Sequence, residues 1–331
     1  GRPDLSHQGK IRALTDMSST APLRAWLGLV VLLLPCMVGA ARADTDAKHV
    51  LILISNDAAP YQEALAGFRD FFERAGQKVE IQSQPLHNDA AKAEPVLAQA
   101  REQHVAMILT LGTLATQSAL RLAPDLPVVA GLVVTVDDLN KAPNATGVVL
   151  ELPLDVEVMW LQRMLPSQKN VGLLYNPAQN QARIDTAAKL LTARGLTAYP
   201  QTVDAPKDLP DALENLTNHA DVLWGIADPV VYTPQTAKPI LLFSFRNRIP
   251  VVGLSSAWVK AGALYALDRD YFDIGAQCGE LAQKIFDGTP VSKLPAQRPR
   301  KIVYTINLKT ARYMKLDIPV PLVQGAREVF D

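Results

Sequence analysis

The residues with chemistry to offer fall at the ends of apolar runs. Ser55 and Asn56 follow the run at 50–54, Gly112 and Thr113 follow 105–111, and Thr135 follows 127–134. Further on, Asn176 follows 170–175, Asp228 follows 222–227, and Ser255 and Ser256 follow 250–254. A Gly-Thr pair opening a helix aims backbone N–H groups and a hydroxyl at an anion such as a carboxylate, although Thr113 also serves as an ordinary N-cap. Ser55 and Asn56 offer similar polar chemistry at the neighbouring exit, where Asn and Asp also make simple turns. An acid at Asp228 suits a ligand ammonium, while Asp-Pro is equally a turn opener. Tyr61, Trp258 and Tyr271 carry rings able to stack on a ligand, and Tyr61 also falls on the apolar stripe of its helix. Asp270 and Asp273 flank Tyr271 ahead of a helix; we expect Asp273 to cap that helix and Asp270 to line a cleft.

Catalytic and metal chemistry find less support. His49, His87, His104 and His219 are scattered, with no His-x-x-x-His or carboxylate-linked spacing for zinc or a triad. There is no Gly-x-Ser-x-Gly elbow, Walker loop or Gly-x-Gly-x-x-Gly fingerprint. Cys278 sits among Ile274, Leu281 and Ile285 in a helical stretch, as a small core residue would. We expect no catalytic residue, metal or cofactor, with an enzyme using Asp228 and Asp270 left as an alternative class.

Positioning these residues takes an alternation of strands and helices. In the helix expected over 61–75, Tyr61, Ala64, Leu65, Phe68, Phe71, Phe72 and Ala75 recur at three- and four-residue spacing, and Gly76 ends it. Strand 78–82, helix 92–103, strand 105–111, helix 113–122 and strand 127–134 continue the pattern. Between 135 and 153 the rhythm breaks into a polar stretch, a candidate inter-domain crossing. A second series follows: helix 154–164, strand 170–175, helix 179–194, strand 197–203, helix 209–218, strand 222–227, helix 236–247 and strand 250–254. Residues 262–267, a helix at 272–286, and the stretches 301–305 and 308–315 complete one or both halves. Continuous apolar strands separated by helices predict an α/β fold of two doubly wound parallel-sheet lobes joined by a hinge. Ligands of such sheets sit beyond the carboxyl ends of the strands, so a shared cleft between the lobes is the expected site.

Length and composition agree. The chain has 331 residues, 48% hydrophobic and 20% charged, enough for about two domains with their own cores. Its 33 Lys and Arg balance 33 Asp and Glu, which leaves no electrostatic footprint for nucleic acid. Near the start, Arg24 precedes an apolar run at 27–38, and Ala41 and Ala43 supply a small-x-small cleavage pattern. The run is shorter than the roughly 20 residues a membrane span needs. Residues 1–43 are therefore expected to be an extension and signal peptide cleaved after Ala43, with the mature chain periplasmic. Cleavage removes Cys36 and leaves Cys278 alone, so no internal disulfide is expected.

Several stretches carry a resemblance. They are Thr146-Gly147-Val148, the run from Leu165 to Pro177, Ala220 to Trp224 with Asp228, Pro250-Val251-Val252, Gly262-Ala263-Leu264, Asp270 to Gly275, and Ile306 to Ala311. In order and spacing they resemble the ABC-transporter substrate-binding proteins of the type I periplasmic-binding fold, a family with tryptophan- and tyrosine-binding members. The resemblance implies a first lobe of 44–148 plus 264–297 and a second of 149–263 plus 298–331. It also implies a periplasmic solute-binding protein, acting as a monomer, that captures a small ligand (amino-acid-like or another small organic molecule) and delivers it to an ABC permease in the inner membrane. The residues leave open a ligand-sensing module for a receptor in trans, or an apolar or lipid cargo.

Overall fold

The structure, a computed structural model, describes residues 47–331 apart from Thr135 and the side chains of Asp137 and Asp138. The expected signal peptide, its cleavage site after Ala43 and Cys36 lie outside the described residues. Among those residues no helix is long and apolar enough to cross a membrane.

The first lobe is a five-stranded parallel sheet. Its strands are β1 (Lys48–Ile54), β2 (Val79–Pro85), β3 (Met107–Leu111), β4 (Val128–Val133) and β5 (Ala145–Val149), in the order β2-β1-β3-β4-β5. Helices α1 (Ala59–Ala75), α2 (Ala93–Glu102), α3 (Thr113–Leu122) and the single turn α4 (Asp137–Asn140) connect them. Side chains along β1 alternate between two cores, as strand geometry requires. Val50, Ile52 and Ile54 pack with Phe68 and Phe72 of α1, while Leu51 and Leu53 pack with Leu97 of α2 and Ala115 and Ala119 of α3.

The second lobe is a seven-stranded sheet in the order β12-β11-β10-β9-β8-β6-β7. The strands are β6 (Asn170–Tyr175), β7 (Thr197–Thr202), β8 (Val222–Trp224), β9 (Val251–Gly253), β10 (Tyr265–Arg269), β11 (Ile302–Asn307) and β12 (Glu328–Phe330). Only the β10–β11 pair is antiparallel among the described pairs. Helices α5 (Leu154–Met164), α6 (Pro177–Ala193), α7 (Leu209–Leu216), α8 (Pro234–Asn247) and α9 (Ser256–Ala261) follow the sheet, and α11 (Leu308–Met314) and α12 (Val320–Gln324) close the chain.

Helix α10 (Tyr271–Phe286) returns to the first lobe and packs along α1 at glycine-mediated contact. A Cβ added to Gly275 would lie 1.9 Å from the Ala64 carbonyl oxygen, so the two backbones meet where no side chain fits. Cys278 is buried on the same helix, and burial pushes its thiol up to about 12, as befits an inert core residue. The chain then runs beside β5, where Gln297 N–H donates to the Gly147 carbonyl and Val149 N–H to that of Gln297.

Two features differ from the expected plan. The polar stretch at 135–153 contains β5, a fifth strand of the first sheet. Residues 265–269, expected in the first lobe, form β10 between β9 and β11 of the second sheet, and the return begins only with α10.

Candidate functional site

At the first lobe's strand ends, the polar residues are largely occupied with each other. Ser55 is buried; its N–H donates to the Leu111 carbonyl at 2.9 Å, and its Oγ accepts from Ala115 N–H at 2.9 Å, satisfying a donor of the first turn of α3. Gly112, not Thr113, is the N-cap of α3, and Thr113 is its exposed first residue. Gly112 has φ 95°, and a Cβ there would lie 2.7 Å from both Ser55 Oγ and Tyr61 Cε1. Tyr61 is half-buried against the first core. Asn56 Oδ1 accepts from Ala58 N–H at 2.8 Å, an Asx turn. Thr135 lies outside the described residues.

The second lobe's candidates are similarly committed. Asp228 is buried, with Oδ2 accepting from Asn176 N–H (2.8 Å) and Asn180 Nδ2 (2.7 Å), and Oδ1 from Val230 N–H (2.9 Å) and Val231 N–H (3.0 Å). Those four donors replace its solvation, so the carboxylate ties the β6 and β8 exits together and has no position left for a ligand ammonium. The Asn176 amide donates to the carbonyls of Val203 and Asp204. Ser255 is the N-cap of α9 and Ser256 its exposed first residue.

Neither Asp270 nor Asp273 takes its expected role. Asp270 caps α10, its Oδ1 accepting from Asp273 N–H at 2.9 Å. Asp273 is buried and takes a two-pronged ion pair from Arg300, Nε to Oδ2 at 2.9 Å and Nη2 to Oδ1 at 3.0 Å. Tyr271 donates its hydroxyl to Asp268 Oδ1 at 2.9 Å, and burial together with that carboxylate pushes it up to about 12.

A cavity of about 710 Å³ opens beyond the carboxyl ends of β8, β9 and β10, within the size range of small-molecule sites. Its wall comes from Trp224 to Ala227, Val252 to Leu254, Tyr265, Leu267 and Arg269 of the second lobe, with Gln179, Asn180, Ala182 and Arg183 of α6 and Glu157 of α5. The segment leaving β5 contributes Leu150, Glu151 and Leu152, and the first lobe contributes Val134. Val134 is aimed there by a bulge in β4, where the register shifts between Gly131 and Val133 and Leu132 takes φ 59°. Of the residues expected at the site, the eleven that the structure describes are all absent from this lining, although Ala227, Leu254 and Arg269 each adjoin one. An apolar groove between α7 and α8, lined by Leu213, Leu242 and Phe243, lies on a helix face away from the strand ends.

A charge network crosses the cavity wall. Arg183 donates from Nη2 to Glu157 Oε1 (3.2 Å) and from Nη1 to Glu151 Oε1 (3.3 Å), and Trp224 Nε1 donates to Glu157 Oε2 (3.2 Å). Arg269 Nε donates to the Leu150 carbonyl at 2.6 Å, and Arg298 Nη2 stands 3.6 Å from Glu151 Oε2. Burial is the main influence on Glu157 and raises its pKa, against the opposing pull of Arg183 and the Trp224 indole. This set joins α5, α6, β8 and β10 of the second lobe to the segment leaving β5.

The sequence did carry a signal for Glu157 and Arg183. Leu154, Glu157, Val158 and Leu161 follow one stripe of α5, and Asn180, Arg183, Ile184 and Ala187 one stripe of α6, so each charge stands where its helix turns inward. A charged residue on an apolar stripe is uncommon unless paired.

The fold recurs in known proteins, and a family pattern covers most of the chain. Residues 49–330 match the pattern of the family described as ABC transporter substrate binding protein. A tyrosine-binding protein of Clostridioides difficile (strain R20291) is 21% identical over 262 residues, 76% of this chain and 73% of that protein. Among solved structures, the ligand-free, open form of a substrate binding protein with adhesive properties from Clostridium difficile aligns with TM-score 0.74 at 20% identity, covering 86% of this chain and 99% of that one. An ABC domain in complex with L-Trp from Streptococcus pneumonia aligns with TM-score 0.57 at 19% identity, covering 86% of this chain and 100% of that one. At these identities the structures establish a shared fold.

Proposed function

Because the chain belongs to the ABC transporter substrate binding protein family, we propose that it is a periplasmic receptor that captures a small organic solute between its lobes and delivers it to an ABC permease in the inner membrane. The observation that carries this reading is the cavity beyond β8, β9 and β10. A half-buried carboxylate, an arginine shared with the segment leaving β5, and an indole converge on it. The amino-acid-like ligands in the names of the relatives above make a solute of that size the first class to test.

Binding works here by population shift. A solute that touches the second-lobe wall and also Val134, Leu150 or Leu152 favours the closed arrangement of the lobes by its extra contacts in that state. The chain passes between lobes at 150–153, near 270 and at 298–301, and these segments are the hinge. Arg269 and Arg298 tie the crossings together through Leu150 and Glu151, so the hinge borders the cavity. The chain does no chemistry on its solute in this account and acts as a monomer.

A thermal-shift screen against a broad panel of small metabolites tests the reading. One chemical class should raise the melting temperature by several degrees at millimolar concentration, with a smaller radius of gyration in solution scattering. A silent panel would remove the reading's main support.

A further inference from the structure

Within the cavity, two polar groups are incompletely satisfied. Glu157 has about four acceptor positions and receives two hydrogen bonds, both at 3.2 Å, the long end of the ordinary range. Tyr265 lines the same cavity, is 1% exposed, and its hydroxyl has no hydrogen-bond partner among the described residues. The two are near enough for the Glu157 charge to raise the tyrosine's pKa beyond what burial does. A polar atom of the solute would relieve both residues at once.

The identity of that atom follows from the surrounding charges. Arg183 divides itself between Glu157 and Glu151 and makes no two-pronged pair with either, so it can release Glu157 while keeping Glu151. An anion brought to Glu157 would meet a carboxylate already short of donors. A neutral hydroxyl would supply one donor and no charge.

We propose that Glu157 and the Tyr265 hydroxyl together receive a cationic nitrogen of the solute, a primary ammonium or an amidinium, which takes the place of Arg183 as the counter-ion of Glu157. This rests on the solute-binding reading and adds the chemical class of the solute's head group. An ammonium has three donors, enough for a free lone pair of Glu157 and the Tyr265 oxygen together. The indole of Trp224 stays on the other carboxylate oxygen and reports occupancy through its fluorescence. The charged or titratable groups facing Glu157 are Arg183, Arg269, Glu151 and Tyr265. Protonating Glu157 removes the charge the solute needs, so affinity should fall on acidification.

The test is fluorescence titration of the whole chain near neutral pH with three matched probes: benzylamine, benzyl alcohol and benzoate. Benzylamine should bind at least tenfold more tightly than the other two, and Glu157→Gln should weaken it at least tenfold, the loss expected for a hydrogen bond to a charged group. Tyr265→Phe removes a hydroxyl with no protein partner, so it should fold normally and weaken benzylamine about three- to tenfold. The fall in affinity on acidification should vanish in Glu157→Gln. Benzylamine binding no tighter than benzyl alcohol, or unchanged in both variants, overturns the proposal. If benzoate or benzyl alcohol binds and ignores Glu157→Gln, solute binding stands and the cation receptor falls. If none of the three binds, the cation receptor falls, and the metabolite screen above decides solute binding separately.

Discussion

The indole N–H of Trp224 donates to Glu157 Oε2 over 3.2 Å, tying the end of β8 to the first turn of α5 at the floor of the cavity. Trp224 is buried to 2% exposure, and the bond holds a carboxylate that the interior otherwise disfavours. The wall of the cavity is thus fixed by an internal polar contact.

A first prediction concerns pH. Burial raises the Glu157 pKa in the folded chain above its unfolded value. Across the interval between the two values the folded state binds more protons, so this group's effect on stability becomes less favourable as pH rises through it. Glu157→Gln removes the titration. The melting temperature of the parent chain minus that of Glu157→Gln should therefore fall as pH rises from the ordinary carboxylate range toward neutrality, and stay level above the raised pKa. A difference that does not change with pH would contradict the placement of this carboxylate.

Gly275→Ala tests the seam between α1 and α10. The added methyl would sit 1.9 Å from the Ala64 oxygen, so the helices must separate along a buried face. The expected loss is about 3 kcal/mol, at the upper end for overpacking, read by chemical denaturation. Gly76→Ala, with open space around its Cβ, should cost about 1 kcal/mol, through its left-handed φ of 64° alone.

Asp228 is predicted to matter for folding and not for the solute's charge. Asp228→Asn keeps the shape but turns one acceptor oxygen into a donor facing N–H groups, so at least one of its four bonds is lost. We expect a loss of about 2–3 kcal/mol in unfolding free energy. Affinity for the solute identified in the screen should change less than threefold in protein that remains folded. A selective loss of affinity with full stability would restore Asp228 as a ligand group.

Much of the fold was legible because strong periodicity marks its elements. Helix α3 and strand β6 run over the spans their patterns predict, and α1 ends at Gly76 with φ 64° as a left-handed cap. Strand β5 escapes the pattern because Ala145–Val149 is short, includes a glycine and follows the turn-forming residues Lys141, Pro143 and Asn144. Strand β10 lies outside the lobe its position in the chain predicts because its sheet membership is decided by pairing with β9 and β11, which local pattern does not encode. The site was the least legible part. Turn residues such as Asp228 and Asn176 have the polarity a ligand needs, but that same polarity satisfies nearby backbone groups, and the structure shows the second use. Glu157 and Arg183 are brought together by the packing of α5 on α6, and only their places on apolar stripes hinted at it.

Native mass spectrometry of the chain purified gently from cells that export it tests the central claim most directly, run beside Ala227→Trp. Ala227 is exposed and lines the cavity, so an indole there fills the space without entering either core. The account predicts a one-to-one small organic adduct on the parent chain, identifiable after denaturation, and an Ala227→Trp chain of normal melting temperature that carries none. An adduct retained in full by Ala227→Trp would place the solute elsewhere and contradict the account.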